Sequence, residues 1–154
     1  MGTHAVPLIG RFRTPSSDRF SRRIGRTRDV QTYDPFQDEH SARPSGTFNL
    51  ILCFEVLEHV PDPTGTLQDI CSFLDDDSGL ILFSTVLTPA DIDRVKVGWW
   101  YIAPRNGHVS IYSRKSLGTV LRKCGLHLAS ASQGLHFAFR QVPEFAKHIL
   151  KAKK

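Results

Sequence analysis

The sequence has no long apolar run, no internal repeat and few cysteines, and each absence excludes a class of protein. No run approaches the roughly 20 apolar residues that span a bilayer, and we find no signal peptide. The three cysteines are odd in number and lie in apolar segments, which argues against a disulfide framework. We therefore expect reduced thiols, no membrane span and a cytoplasmic location.

The body of the chain has almost no net charge. Residues 1–28 carry seven arginines and a single acidic residue, Asp18, whereas the remainder carries 13 basic and 14 acidic residues. The net charge of +5 therefore belongs to the N-terminal segment, which we expect to be poorly ordered. A targeting segment, or a strand over Ala5–Ile9 with a weak helix over Ser17–Ile24, is an alternative. Nucleic-acid binding by the near-neutral body is not expected.

One apolar stretch organises the rest of the sequence. Residues Phe48–Phe54 form an aliphatic run that is typical of a strand buried on both faces of a parallel sheet. Ligands of such sheets bind at the carboxyl ends of the strands. Glu55, Glu58 and His59 directly follow the run, so we expect the chemistry of the protein at this point.

The segments after this strand alternate between helix and strand patterns. Two amphipathic helices are indicated by apolar residues at i, i+3, i+4 and i+7, and the strands between and after them are short and apolar. The sequence thus predicts one α/β domain over residues 29–154, with a doubly wound, mostly parallel sheet and a C-terminal antiparallel hairpin. The helix stripes are Leu67, Ile70, Cys71, Leu74 and Leu117, Val120, Leu121, Cys124; the strands are Leu80–Val86, Leu126–Ala131 and Leu135–Gln141; a terminal helix is expected over Pro143–Lys151.

Two further segments carry candidate binding residues. Asp34 directly follows a predicted strand over Asp29–Tyr33. An acidic side chain at such a position commonly accepts hydrogen bonds from two ribose hydroxyls; a simple turn aspartate is the alternative. The long connection Leu87–Tyr112 holds both tryptophans, followed by Tyr101 and a Pro-Arg-Asn-Gly-His stretch. Long loops of this kind are usually functional, so the aromatic residues either shape a substrate pocket or cover the open end of the core.

The order of these elements resembles the class I S-adenosylmethionine-dependent methyltransferases over about residues 30–141. Residues Phe48–Pro63 resemble the fourth strand of that family and the turn that follows it, and residues 126–141 resemble its closing hairpin. The resemblance implies S-adenosylmethionine as the cofactor, with Asp34 on the cofactor ribose and Phe54 and Glu55 beside the cofactor.

The Glu-x-x-Glu-His pattern supports a narrower comparison. It is similar to a pattern in ubiquinone-pathway O-methyltransferases and small-RNA 2′-O-methyltransferases, in which it gathers a divalent cation together with a later histidine. The resemblance implies Glu55, Glu58, His59 and His108 as ligands of Mg²⁺ or another divalent cation, and Glu58, His59 and His108 as the catalytic residues. The spacing i, i+3, i+4 brings side chains to one face of a turn, and mixed oxygen and imidazole donors suit such an ion. Alternatively, His59 is satisfied by hydrogen bonds and the glutamates contact cofactor or backbone.

The sequence departs from the family at the glycine-rich loop that follows its first strand. Nothing between Met1 and Asp34 matches that loop, and Gly10 stands alone. Three hypotheses follow: an enzyme that methylates an oxygen of a small molecule, a truncated and inactive interaction module, and an RNA-directed methyltransferase or RNA-binding protein that uses residues 1–28. A missing first strand would also leave Phe48–Phe54 as an exposed apolar edge and favour self-association.

Overall fold

The computed structural model describes residues 8–11, 29–35, 42–102 and 107–150. Six strands within these ranges form one sheet with the order β2-β1-β3-β4-β6-β5. The predicted helix over Ser17–Ile24 and the residues Arg105 and Lys151 lie outside the described ranges. The strands are β1 (Leu8–Arg11), β2 (Asp29–Thr32), β3 (Leu50–Phe54), β4 (Leu80–Ser84), β5 (His127–Ser130) and β6 (Leu135–Phe139).

The sheet confirms the α/β class and the C-terminal antiparallel hairpin. Strands β3 and β4 are parallel neighbours, with Leu50 opposite Leu80 and Phe54 opposite Ser84. The other four pairs are antiparallel, so the parallel pairing that we expected through most of the sheet is limited to its centre. Because β1 is antiparallel to both of its neighbours, β2 runs in the same direction as β3.

The direction of β1 locates Gly10 and corrects one expectation. Gly10 lies opposite Leu50, the first residue of β3, so the end of β1 lies at the edge of the sheet where β3 begins. Gly10 therefore does not form a loop at the carboxyl edge, where ligands of parallel strands bind. The exposed edge expected for Phe48–Phe54 is wrong, because β1 pairs with one side of β3 and β4 with the other.

Capping residues in the local sequence set the ends of the two longer helices. Helix α1 (Pro63–Ser72) starts at Asp62, whose Oδ1 accepts a hydrogen bond from the Gly65 amide at 2.9 Å. Helix α3 (Arg114–Lys123) starts with a capping box between Ser113 and Ser116 and is followed by Gly125 at φ +72°, a conformation that glycine adopts without strain. Shorter helical segments are α2 (Ile92–Val95), α4 (Lys147–Leu150) and 3₁₀ turns at Lys96–Gly98 and Glu144–Ala146.

The core occupies both faces of the sheet. On one face, the inward residues of β3 and β4 pack against α1 and α3 through Leu67, Leu117 and Leu121. On the other face, Phe137 and Phe139 pack with Ala146 of the C-terminal segment. Within the described residues, no helix is long and apolar enough to cross a membrane. Helices on both faces leave the edges of the sheet as the places where ligands have access.

Candidate functional site

The chain turns sharply where β3 ends. Glu55 has a backbone φ of +51°, which costs a non-glycine residue about 1–2 kcal/mol. Ser84, at the end of the neighbouring β4, stabilises this turn: its Oγ accepts a hydrogen bond from the Glu55 amide at 2.9 Å and donates one to the Glu55 carboxylate at 2.6 Å. Strained backbone of this kind is often found at functional sites.

Glu58 lies three residues after Glu55, in the turn that follows β3, and is fully buried. Its Oε1 accepts a hydrogen bond from the Tyr101 hydroxyl at 2.5 Å, whereas Oε2 has no hydrogen-bond partner among the described residues. Burial raises the pKa of Glu58, against the opposing effect of the Tyr101 hydrogen bond, and the nearby Glu55 adds to the rise. A buried carboxylate oxygen without a partner is costly, so a cationic ligand at Oε2 would remove an unfavourable feature.

Two histidines near this carboxylate make the same kind of hydrogen bond. The Nδ1–H of His59 donates to the Gly107 carbonyl at 3.2 Å, and the Nδ1–H of His108 donates to the Tyr101 carbonyl at 2.7 Å. The two rings contact each other, with centroids 4.8 Å apart. Because each Nδ1 carries the proton in the neutral ring, each Nε2 has a free lone pair, which is the usual arrangement of metal-binding histidines.

Glu58, His59 and His108 together meet the geometric requirement for a metal site. One ligand atom from each lies within 4.8 Å of the others. A carboxylate and two imidazoles suit a borderline divalent ion better than Mg²⁺, which prefers oxygen ligands. The residues present therefore fit a divalent cation, on the grounds of the unpartnered Oε2 and the two available imidazole nitrogens.

The segment 107–112 is hydrogen-bonded to the turn that carries Glu58. The amides of Val109 and Ser110 donate to the Glu58 carbonyl at 2.8 and 3.0 Å, and the buried Tyr112 hydroxyl donates to the Leu57 carbonyl at 2.8 Å. The two amide hydrogen bonds from Val109 and Ser110 hold His59 and His108 together although 48 residues of chain separate them.

The structure brings together three of the four residues expected to bind a cation. Glu55 is not part of the cluster, and its carboxylate accepts a hydrogen bond from Ser84. Asp34 is 5% exposed and follows β2, two strands away from β3. Phe54, at 39% exposure, ends β3. The cofactor roles of Asp34, Phe54 and Glu55 stay predictions.

Sequence reasoning did not predict the hydrogen-bond partners of the two glutamates. Ser84 and Tyr101 bind Glu55 and Glu58 directly, and neither belongs to a motif. Tyr101 lies between the tryptophans in space, with a ring-centroid distance of 5.3 Å to each. It is buried, whereas Trp100 is 71% exposed. The aromatic stretch thus places one ring in the core and leaves another exposed, and a role of the exposed ring in binding a substrate stays a prediction.

Comparison with known proteins identifies relatives of the chain. A family model described as "Methyltransferase domain" matches residues 6–131. The chain is 33% identical over 108 residues to a ubiquinone biosynthesis O-methyltransferase of Xanthomonas axonopodis pv. citri, a match covering 67% of this chain and 45% of that protein. A protein of the same name from Colwellia psychrerythraea is 47% identical over 49 residues, which is 32% of this chain and 20% of the relative. The chain thus spans less than half the length of these relatives.

The fold has a counterpart among solved structures. An O-methyltransferase family protein from Burkholderia thailandensis superposes with a TM-score of 0.50 at 12% identity, covering 65% of this chain and 32% of that one. At this identity, the likeness concerns the fold alone. Because the family model spans most of the chain, the protein belongs to the methyltransferase domain family, as its resemblance to the class I S-adenosylmethionine-dependent methyltransferases led us to expect.

Proposed function

We propose that the protein transfers a methyl group from S-adenosylmethionine to an oxygen of a small molecule, assisted by a divalent cation. The observation that carries this proposal is the cluster of Glu58, His59 and His108 just beyond the carboxyl end of β3, in a chain of the methyltransferase domain family. The names of its relatives support an acceptor oxygen on an intermediate of ubiquinone biosynthesis.

In this proposal, Glu58, His59 and His108 hold the cation. A divalent ion at these ligands supplies Lewis-acid chemistry that lowers the pKa of an acceptor hydroxyl. The protein aligns the acceptor oxygen with the methyl carbon and excludes water, which is the main source of catalysis in such a transfer. The oxygen bonds to the methyl carbon as the carbon–sulfur bond breaks, and the acceptor proton leaves to solvent.

The distance between the ends of β2 and β3 supports a binding position for the cofactor across these strands. Asp34 follows β2, and Glu55 follows β3, with β1 between these strands; two strand spacings amount to roughly 10 Å. Since β2 and β3 run in the same direction, both residues lie at the carboxyl edge. We propose that the cofactor lies across this edge, with its ribose at Asp34 and its methyl group near Phe54 and Glu55.

The acceptor side of the site is proposed to include Trp100. Its ring is largely exposed and touches Tyr101, which in turn contacts His108 with centroids 4.3 Å apart. An exposed aromatic ring next to a candidate metal site provides apolar contact for a flat acceptor.

The proposal also includes a cytoplasmic location, which the three free thiols support. It further divides the chain into an arginine-rich segment over residues 1–28 and a catalytic domain over residues 29–154. The two parts are in contact, because β1 of the first segment pairs with β3 of the second.

The proposal is tested by methyl transfer to simple phenolic acceptors. Product formation from S-adenosylmethionine and catechol is measured for the purified chain with Co²⁺, with Mg²⁺ and with EDTA. We expect activity that EDTA abolishes and Co²⁺ restores, and a loss of the metal-dependent part in Glu58→Ala. Glu144→Ala serves as the control, because Glu144 pairs with Lys147 on the surface far from the site in sequence. Activity that is unaffected by EDTA would refute the role of the cation.

A second function is favoured by one observation, the direction of β1. Because its end points away from the carboxyl edge, β1 does not supply a cofactor loop there, and the chain could act as an interaction module that has no cofactor. Failure of a folded chain to bind S-adenosylhomocysteine would support this alternative. An RNA-directed role for residues 1–28 rests on their seven arginines alone and would require RNA binding that weakens steeply with salt.

A further inference from the structure

Tyr101 contacts two of the three residues in the candidate metal cluster. Its hydroxyl donates a hydrogen bond to Glu58 Oε1 at 2.5 Å, and its backbone carbonyl accepts the Nδ1–H of His108 at 2.7 Å. Its ring also packs on the His108 ring. A single buried residue therefore touches both a carboxylate and an imidazole that belong to different segments of the chain.

The hydrogen bonds around the Tyr101 hydroxyl fix its direction. The Val86 amide donates to the hydroxyl oxygen at 3.2 Å, and Thr85 Oγ1 lies 3.5 Å away. A backbone amide can act only as a donor, so it occupies a lone pair of the phenol oxygen and leaves the hydroxyl proton for Glu58. The end of β4 thus holds the hydroxyl so that its proton points at Oε1.

We propose that Tyr101 is the positioning residue of this site: its hydroxyl occupies Glu58 Oε1 and so presents Oε2 to the cation, while its carbonyl sets the His108 tautomer that leaves Nε2 free. The inference rests on the proposed metal-binding function. Partners of this kind orient metal ligands, and their loss typically lowers metal affinity about 10- to 100-fold. Tyr101 itself does not touch the cation or the reacting atoms in this arrangement.

Tyr112 provides a matched control outside the cluster of Glu58, His59 and His108. It is also a buried tyrosine, and its hydroxyl donates to the Leu57 carbonyl at 2.8 Å, next to Glu58 in the chain. Changing either tyrosine to phenylalanine removes one buried hydroxyl and retains the ring and the backbone. A merely structural role for Tyr101 therefore predicts that the two variants behave alike.

The experiment titrates Co²⁺ alone into the full chain and into Tyr101→Phe and Tyr112→Phe, following both the affinity and the visible absorption spectrum of the bound ion. We expect Tyr101→Phe to bind Co²⁺ about 10- to 100-fold more weakly with a changed spectrum, and Tyr112→Phe to match the original chain in both. If the original chain binds Co²⁺ and Tyr101→Phe has the same affinity and spectrum, the inference is wrong while the metal site stands. If the original chain binds no Co²⁺, the proposed metal function fails and the inference fails with it.

A second measurement does not require that Tyr101→Phe folds. The chain contains three tyrosines, so labelling with fluorotyrosine gives three ¹⁹F resonances, of which Tyr33→Phe and Tyr112→Phe identify two. Paramagnetic Co²⁺ should shift the remaining resonance, that of Tyr101, more than that of Tyr33, whose ring packs against Phe73. A shift at Tyr101 no greater than that at Tyr33 would remove Tyr101 from the site and overturn the proposal.

Discussion

At the scale of single residues, the chemistry of the candidate site depends on which atoms are already occupied. Backbone carbonyls hold the Nδ1 atoms of His59 and His108, and Tyr101 holds one oxygen of Glu58. The atoms that remain without described partners are one carboxylate oxygen and two imidazole nitrogens. A turn that only needed to be stable would favour full pairing of a buried carboxylate, so the remaining atoms point to a ligand.

A buried histidine outside this cluster makes the stability of the fold depend on pH. His136 is fully buried between the Ser130 hydroxyl and the Thr85 carbonyl, at 2.8 and 2.9 Å. Burial lowers its pKa from 6.5, and the charge of Arg114 lowers it further. The stabilising contribution of the neutral ring is complete above the unfolded pKa near 6.5 and is lost as the pH falls through the lower folded pKa.

We therefore expect His136→Gln to be destabilised at pH 7.5 by about 1–3 kcal/mol, the usual cost of disturbing a buried hydrogen-bonded group, and to approach the original chain in stability at pH 5. Denaturant unfolding at the two pH values measures this difference. His127→Gln is the control, since His127 is exposed on the neighbouring strand β5. An equal deficit of His136→Gln at both pH values would show that burial of the neutral ring does not govern the pH dependence.

At the scale of secondary-structure elements, the features that depend on residues close together in sequence were the ones that the sequence predicted. Helices α1 and α3 were predicted from their apolar stripes, because amphipathicity involves residues that are close in sequence. Strand β3 and the polar residues that follow it were predicted because a short, continuous apolar run is compatible with few other structures. Glu58 and His59 lie together because the turn after β3 is short, whereas His108 reaches them through the long-range hydrogen bonds of the segment 107–112.

The features that escaped prediction depend on distant parts of the chain. The sequence of β1, Leu8–Arg11, does not specify the direction in which it pairs with β3, because pairing is decided by the whole sheet. Likewise, Trp100 and Tyr101 are adjacent aromatic residues, and only the packing around Glu58 decides which of them is buried. Glu55 fitted the ligand pattern, but Ser84, 29 residues away, binds its carboxylate.

Helix α3 allows a direct test of the capping argument. The Ser113 hydroxyl accepts a hydrogen bond from the Ser116 amide at 3.1 Å, and the Ser116 hydroxyl accepts one from the Ser113 amide at 2.9 Å. Ser113→Ala should lower the free energy of unfolding by about 1 kcal/mol, measured by denaturant unfolding. Lys115→Ala, an exposed change in the first turn of the same helix, should alter it by less than about 0.5 kcal/mol. Equal effects of the two changes would mean that the cap does not stabilise the helix.

At the scale of the whole molecule, the packed faces of the sheet are distinct from the edge that carries the candidate site. Helices α1 and α3 cover one face, and the C-terminal segment packs on the other. The end of β3, the cluster of Glu58, His59 and His108, and the exposed ring of Trp100 lie in the remaining region. Among the described residues, a buried carboxylate oxygen without a hydrogen-bond partner and an exposed aromatic side chain thus belong to the same region.

This arrangement predicts a separable role for Trp100 in binding the acceptor. Trp100→Ala should raise the KM for catechol several-fold and change kcat little, because it removes contact area and no cation ligand. Its free energy of unfolding should remain within about 0.5 kcal/mol of the original, as expected for an exposed side chain. Ile149→Ala, at an exposed position of α4, should leave the KM unchanged. If Trp100→Ala and Ile149→Ala have the same KM as the original chain, the acceptor does not contact Trp100.

The most direct test of a cofactor-binding, cation-assisted methyltransferase is calorimetric titration of the purified 154-residue chain with S-adenosylhomocysteine, without added metal and with Co²⁺ or Mg²⁺. We predict micromolar binding that Asp34→Ala weakens and that Co²⁺ strengthens more than Mg²⁺. Binding without any effect of metal would retain the cofactor and remove the cation from the proposal. A well-folded chain that binds no S-adenosylhomocysteine under any of these conditions would contradict the enzymatic function and favour the interaction module.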